Sequence, residues 1–191
     1  MQNKPQLKKP FNFYKDGLDL EFLRVYCIDH GKTRIMKRGE IFEEVGNPSQ
    51  YVAYVERGYF KYMVHNDEEG KDYCTGFAFE GEFVASYPNC LSGKKTETTI
   101  VAGIPCKIFQ ILGKELENLL DTLHMEGLKQ AMSDSVFTQI YAQYLDTYRV
   151  TTRERYKRLL IRCPELVQSI NLKDIASYLK VTPTTISNIR R

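Results

Sequence analysis

Metal-ligand spacing is missing from this sequence. The five cysteines, Cys27, Cys74, Cys90, Cys106 and Cys163, form no CxxC pair, which excludes a zinc ribbon or a regularly spaced iron–sulfur site. Their number is odd and most sit in apolar company, so reduced core thiols are expected. The histidines His30, His65 and His124 stand far apart and make no HxH, so a cupin-like metal enzyme lacks its ligand set. P-loop, nucleophile elbow and Gly-rich dinucleotide loop are absent as well. No apolar run approaches the ~18 residues that a membrane span needs. The polar start MQNKPQLKKPFNFYKDG carries no signal-peptide core. These absences lead to the expectation of a cytoplasmic protein that is not an enzyme, with no metal, no cofactor and no membrane partner.

What is present is an ordinary globular composition, 42% hydrophobic and 27% charged over 191 residues. That is enough for one large domain or two modest ones, with a core that needs no disulfides. The net charge of +3 hides an asymmetry. Residues 151–191 hold nine Lys/Arg against three acids, Glu154, Glu165 and Asp174, so the excess of positive charge lies at the C-terminal end. A basic end on a slightly acidic body points weakly to a polyanion.

From residue 32 to 112 the pattern is strand, turn, strand. SQYVAYVERG, YFKYMVHNDEEG and KDYCTGFAFEGE alternate at period two between turn residues. NDEEGKD reads as an exposed hairpin turn, and Gly39, Gly58 and Gly81 fall at strand ends. Several short strands at this spacing suggest a barrel, jelly roll or β-roll. After Gly113 the period changes to helical. Residues 114–123 form one candidate helix and 125–150 a long one. On the long helix Met125, Leu128, Met132, Val136, Ile140 and Tyr144 make one apolar stripe; Phe137, Tyr141, Leu145 and Tyr148 make another beside it. A face this wide suits a helix packed on the β-domain with one side and on a second subunit with the other. The expected class is α+β, with a β-roll (jelly-roll-like) at 1–113, connecting and dimerisation helices at 114–150, and a small helical domain at 151–191.

The helical domain starts at TTRERYKRLL, where Thr151 is the expected N-cap and Glu154 the N3 partner. Tyr156, Leu159, Leu160 and Cys163 are the expected buried stripe, ending at Pro164. Asn171 then caps a helix with Leu172, Ile175, Ala176 and Leu179 inward. After a short turn at Lys180-Val181, Thr182 caps a second helix with Pro183 at N1 and Ile186 and Ile189 inward. The small Ala176 at the crossing point completes the pattern of a helix-turn-helix. Its outer face holds Thr184, Thr185, Ser187, Asn188, Arg190 and Arg191, groups able to read base edges in a major groove. Lys173, Lys180 and the capping Thr182 join them as candidate DNA-binding residues, the cations chiefly on phosphates.

A β-rich first domain, a long connecting helix and a final INLKDIASYLKVTPTTISNIRR resemble the Crp/Fnr family of bacterial transcription regulators. The resemblance implies a cyclic-nucleotide-binding-type β-roll, a dimerising central helix and a winged-helix DNA reader. It implies a homodimer on double-stranded DNA at an inverted repeat, and it leaves open both contact with RNA polymerase and repression by occlusion.

Several positions depart from that pattern. Nucleotide-binding members carry a Gly-Glu, here Gly81 and Glu82 in FEGEF, followed by an Arg-Ser or Arg-Thr pair that holds the cyclic phosphate. Counting back from TIVAGIPCKIFQI places that pair on Thr96 and Glu97, where a carboxylate repels phosphate. Cyclic AMP is therefore not the expected effector. Any other effector is expected against Phe79, Gly81, Glu82, Phe83, Tyr87, Lys94, Lys95 and Thr96; an empty roll fits equally. The family's Arg-Glu…Arg reading set falls on Pro183, Thr184 and Asn188, so a different operator is expected. Lys180 stands where a turn glycine is common, so it either bears a left-handed backbone or marks a different turn. The sequence stops at Arg191, so a β-hairpin wing is expected upstream or not at all. A small-molecule-binding or scaffold protein whose helix-turn-helix docks protein is the alternative, though it leaves the basic C-terminal end without a purpose.

Overall fold

The computed structural model describes residues 18–164 and 168–191. The polar start 1–17 and Glu165 lie outside the described residues. The chain opens with α1 (Glu21–His30) and then runs through β1 (Lys32–Met36), β2 (Ile41–Glu43), β3 (Tyr51–Arg57), β4 (Tyr59–Asn66), β5 (Lys71–Phe79) and β6 (Phe83–Val84). A short α2 (Asn89–Ser92) precedes β7 (Thr99–Ala102) and β8 (Cys106–Leu112). Five helices follow β8 among the described residues: α3 (Gly113–Thr122), α4 (Glu126–Arg149), α5 (Thr152–Arg162), α6 (Leu172–Tyr178) and α7 (Pro183–Arg190).

The eight strands form two antiparallel four-stranded sheets, in the orders β1-β8-β3-β6 and β2-β7-β4-β5. Their facing sides meet over Phe42, Ala53, Val55, Phe60, Ile100 and Ile108, the inward half of each alternating run. Burying a side chain of this size is worth about 1.5–3 kcal/mol, so the period-two pattern largely dictates the roll. The NDEEGKD segment forms the turn between β4 and β5, as its composition suggests.

Gly58, between β3 and β4, has φ +96°, and a Cβ there would stand 2.7 Å from the Cys106 sulfur and 2.9 Å from the Pro105 carbonyl. Both the backbone angle and the space demand glycine. Gly103 leaves room for a ring instead: a Cβ would sit 2.0 Å from the Tyr59 side chain.

Two further apolar clusters cover the outsides of the roll. α1, which sequence patterning does not single out, lays Leu23 and Cys27 with α3 residues Leu116 and Leu120 and α4 residue Met132 over Val52, Phe109 and Ile111. The other cluster joins Tyr59, Cys74, Phe77 and Phe79 of the roll to Tyr156, Leu159, Ile175, Leu179 and Ile186 of the helical end. The helical domain and the roll thus share one core. Along α4, Met132 is buried, while Phe137, Ile140, Tyr141, Tyr144 and Tyr148 remain exposed. No strand follows α5 among the described residues.

All five cysteines are free and buried. Burial pushes the thiols of Cys27, Cys74, Cys90 and Cys163 up to about 12 and raises that of Cys106. A thiol is reactive only as thiolate. At pH 8 a thiol-specific disulfide reagent is expected to label less than about one equivalent of folded protein within minutes and all five thiols after denaturation; rapid labelling of the native form would contradict the packing.

Candidate nucleic-acid interface and the cavity behind it

Local chemistry sets the three helix starts of the C-terminal domain. Thr151 accepts from the Glu154 N–H at 3.3 Å, Asn171 from the Lys173 N–H at 2.9 Å and Thr182 from the Thr185 N–H at 3.2 Å. Each satisfies a donor that the first turn leaves without an intrahelical partner. α6 ends in a Schellman turn. The Lys180 N–H donates to the Ser177 carbonyl and the Val181 N–H to the Ala176 carbonyl, both at 2.9 Å. Lys180 sits in the left-handed position with φ +53°, which costs a non-glycine residue about 1–2 kcal/mol. Of the two turn geometries open to the sequence, this is the left-handed one.

α6 and α7 then pack in one apolar cluster, with Ala176 buried and Ile175 and Ile186 fully buried. α7 is thereby propped with one side in the core. Thr184, Asn188 and Arg191 are exposed and Ser187 is half-buried. Their spacing of three and four puts them on one stripe.

The other candidates have additional work. Thr182 and Thr185 share a hydroxyl contact of 2.9 Å at the cap. Arg190 donates to the Tyr156 hydroxyl at 2.9 Å and lies over that ring. Lys180 places its ammonium 5.6 Å from the centre of the Tyr144 ring on α4. Lys173 is exposed. The basic face is narrower than nine cations suggest: Arg155 is buried, Arg158 pairs with Asp146, and Arg162 is paired in the interior.

α6 docks on the edge of the second sheet. The Cys74 N–H donates to the Ser177 hydroxyl at 2.8 Å, and that hydroxyl donates to the Cys74 carbonyl at 3.1 Å. Lys61 on β4 meets Asp174 at 2.9 Å, and Phe77 meets Tyr178 edge to face at 5.1 Å. At the centre Arg162 reaches Glu82. Its Nε donates to Oε1 at 3.0 Å and its Nη2 to Oε2 at 2.7 Å; Nη2 also donates to the Phe77 carbonyl at 3.0 Å. The side chains are 4% and 2% exposed, and the guanidinium stacks 4.9 Å from the Phe79 ring centre.

Beside this pair lies a cavity of about 390 Å³ between the roll, α4 and α6. Of the eight residues expected around an effector, Phe83 and Tyr87 line it. Phe79 and Glu82 are buried in the interdomain contact instead, and Gly81 makes the turn before β6 with φ +80°. Lys94 and Lys95 are exposed on a loop held to residues 48–49, where the Ser49 N–H donates to the Lys94 carbonyl and Pro48 bridges Lys95. Thr96 is buried, its hydroxyl donating to the Thr98 carbonyl at 2.9 Å. Patterning did not point to Tyr62, Met132, Gln139 or Tyr178 as walls of the cavity. Among the described residues its lining cation is Arg162, already committed to Glu82. The Tyr178 hydroxyl is buried beside Arg162, and burial pushes its pKa up to about 12.

By sequence, no family model and no curated protein matches the chain. By structure, FixK2 from Bradyrhizobium japonicum superposes with a TM-score of 0.72 at 18% identity, covering 84% of this chain and 82% of that one. A regulator of the crp/fnr family from Eubacterium rectale follows at 0.62 and 15% identity, covering 94% and 85%. The chain has the Crp/Fnr regulator fold. The c-di-GMP-responsive global regulator CLP of Xanthomonas campestris shares it at 0.60 and 14% identity, with 90% and 89% covered. The Crp/Fnr likeness therefore extends over the roll, α4 and the helix-turn-helix together.

Because the Thr182 hydroxyl is occupied as a cap, Thr182→Val is expected to lower unfolding free energy by about 1 kcal/mol in denaturant titration. An unchanged midpoint would show that the cap contributes nothing.

Proposed function

We propose that this protein is a DNA-binding transcription regulator of the cytoplasm, acting as a homodimer on an inverted-repeat operator. The observation that carries the reading is the propped helix α7, with Thr184, Ser187, Asn188 and Arg191 along its outer stripe. An asparagine can pair bidentately with adenine, threonine methyls touch thymine, and a terminal arginine reaches guanine or phosphate. Arg190 and Lys180, braced on aromatic rings of their own chain, steady the helix and lend charge at its two ends.

The partner copy is assigned to the exposed side of α4. Phe137, Tyr141, Tyr144 and Tyr148 recur three or four apart and pair along the helix, Phe137 stacked on Tyr141 with centroids 6.0 Å apart and Tyr144 edge to face with Tyr148 at 5.5 Å. Such a stripe on a 24-residue helix suits a two-helix seam. In a twofold pair the reading helices would lie about 34 Å apart, one turn of duplex. Cyclic AMP is not its effector on this reading, since Lys94 and Lys95 do not line the cavity and its lining cation is already paired.

Selection from random duplexes tests the reading. Asn188→Ala is expected to change the enriched sequence. Arg191→Ala is expected to weaken all duplexes alike and to reduce the salt slope by about 1. Identical enrichment profiles for wild type and Asn188→Ala would remove α7 from the role of reader. Tyr141→Glu is expected to convert a dimer to a monomer in sedimentation equilibrium with its circular dichroism unchanged; a variant that stays dimeric would place the seam elsewhere.

A further inference from the structure

The arginine that closes the interdomain contact belongs to the reading domain, and its carboxylate belongs to the roll. Arg162 lies at the end of α5, whose Tyr156 braces Arg190 on the reading helix. Glu82 lies just before β6, its Oε2 also accepting the Phe79 N–H at 3.0 Å. The pair is bidentate, with a third bond to the Phe77 carbonyl. Two parallel bonds from a planar fork fix an orientation as well as a distance. A buried ion pair adds little net stability over a well-packed apolar pair, because desolvation offsets the attraction. What it supplies here is register between two bodies. The continuous apolar cluster around it and the Ser177 bonds to Cys74 hold the same pose. Interfaces between domains otherwise permit relative motion.

The cavity adjoins this contact through Arg162. An anionic molecule entering it would meet a guanidinium already neutralised. To take that cation it would have to part the buried Glu82 carboxylate, 2% exposed, from a bidentate guanidinium, which is costly.

Resting on the DNA-binding reading above, we propose that Arg162 is a positioning residue that acts as a tethered internal effector: bound to Glu82, it holds the reading domain in its DNA-binding pose, so operator binding needs no small molecule. A domain free to leave the pose loses affinity in proportion to the time spent out of it.

The duplex enriched by wild-type protein serves as the operator. Protein unfolded in guanidinium chloride, desalted and refolded carries no small molecule, and it is expected to bind with Kd within about threefold of the untreated protein. Cyclic AMP at 1 mM, roughly the upper range of physiological ligand affinities, is expected to leave that Kd unchanged. Arg162→Ala is expected to weaken binding about thirtyfold, as for a domain in pose about one thirtieth of the time. Added methylguanidinium can neutralise Glu82 again but cannot tie it to α5. It is therefore expected to raise the melting temperature of Arg162→Ala without restoring operator affinity. Should that variant fail to fold, Glu82→Gln, which keeps the shape and weakens the tie, is expected to lower affinity at least fivefold with unchanged circular dichroism.

Loss of binding after stripping, recovered on returning the small-molecule extract, would overturn the proposal. So would restoration of affinity together with melting temperature by methylguanidinium, or Glu82→Gln binding as tightly as wild type. Failure of wild-type protein to enrich any duplex would instead sink the DNA-binding reading itself, and the clamp with it.

Discussion

The uncovered edge of a β-sheet is the constraint around which this molecule is arranged. β5 is the outer strand of its sheet, and a bare edge offers unpaired N–H and C=O groups to any passing chain. Here one hydroxyl, that of Ser177, takes both the N–H and the carbonyl of Cys74. Because Ser177 belongs to the first helix of the helix-turn-helix, covering the edge also fixes where that helix lies. The direction of α7 then follows from the left-handed turn at Lys180 and the packing around the buried Ala176. Sheet protection and presentation of the polar stripe are therefore one arrangement.

Around that edge the interface combines two kinds of interaction with different consequences. Aromatic packing among Tyr59, Phe77, Phe79 and Tyr178 supplies non-directional stabilisation through area removed from water. The ion pair of Glu82 with Arg162 is directional and intolerant of half-measures, since removing either group takes from a buried charge its bidentate counterpart. Arg155 shows the contrast within the same helix. Its guanidinium is buried with Nε lacking a hydrogen-bond partner, although Nη2 donates to the Thr152 hydroxyl. Burial lowers its pKa accordingly.

What could be read from the sequence was local. Thr151, Asn171 and Thr182 announce their helices because a cap acts within three residues, and Pro183 and Ala176 mark a helix start and a crossing for equally local reasons. The strands follow from period two. Contacts between distant segments were hidden. Glu82 and Arg162 lie eighty residues apart, and a motif count assigns the glutamate to a ligand while a charge count assigns the arginine to the surface. One signal was available: position 162 sits three after Leu159 and beside Cys163, on the inward stripe of α5. The loop lysines misled for a similar reason. Sequence adjacency put Lys94 and Lys95 near the expected phosphate position, but their backbone pairs with residues 48–49 and neither lines the cavity.

The ring of Tyr144 has two faces of consequence. It belongs to the exposed aromatic stripe of α4, and it receives the ammonium of Lys180 from the turn that launches the reading helix. In a twofold assembly, tightening the grip between copies and tilting the heads would be coupled through this one side chain. On the proposed homodimer reading, evolution toward a new half-site separation would have to alter the seam and the turn in concert, and operator geometry would then drift more slowly than operator sequence.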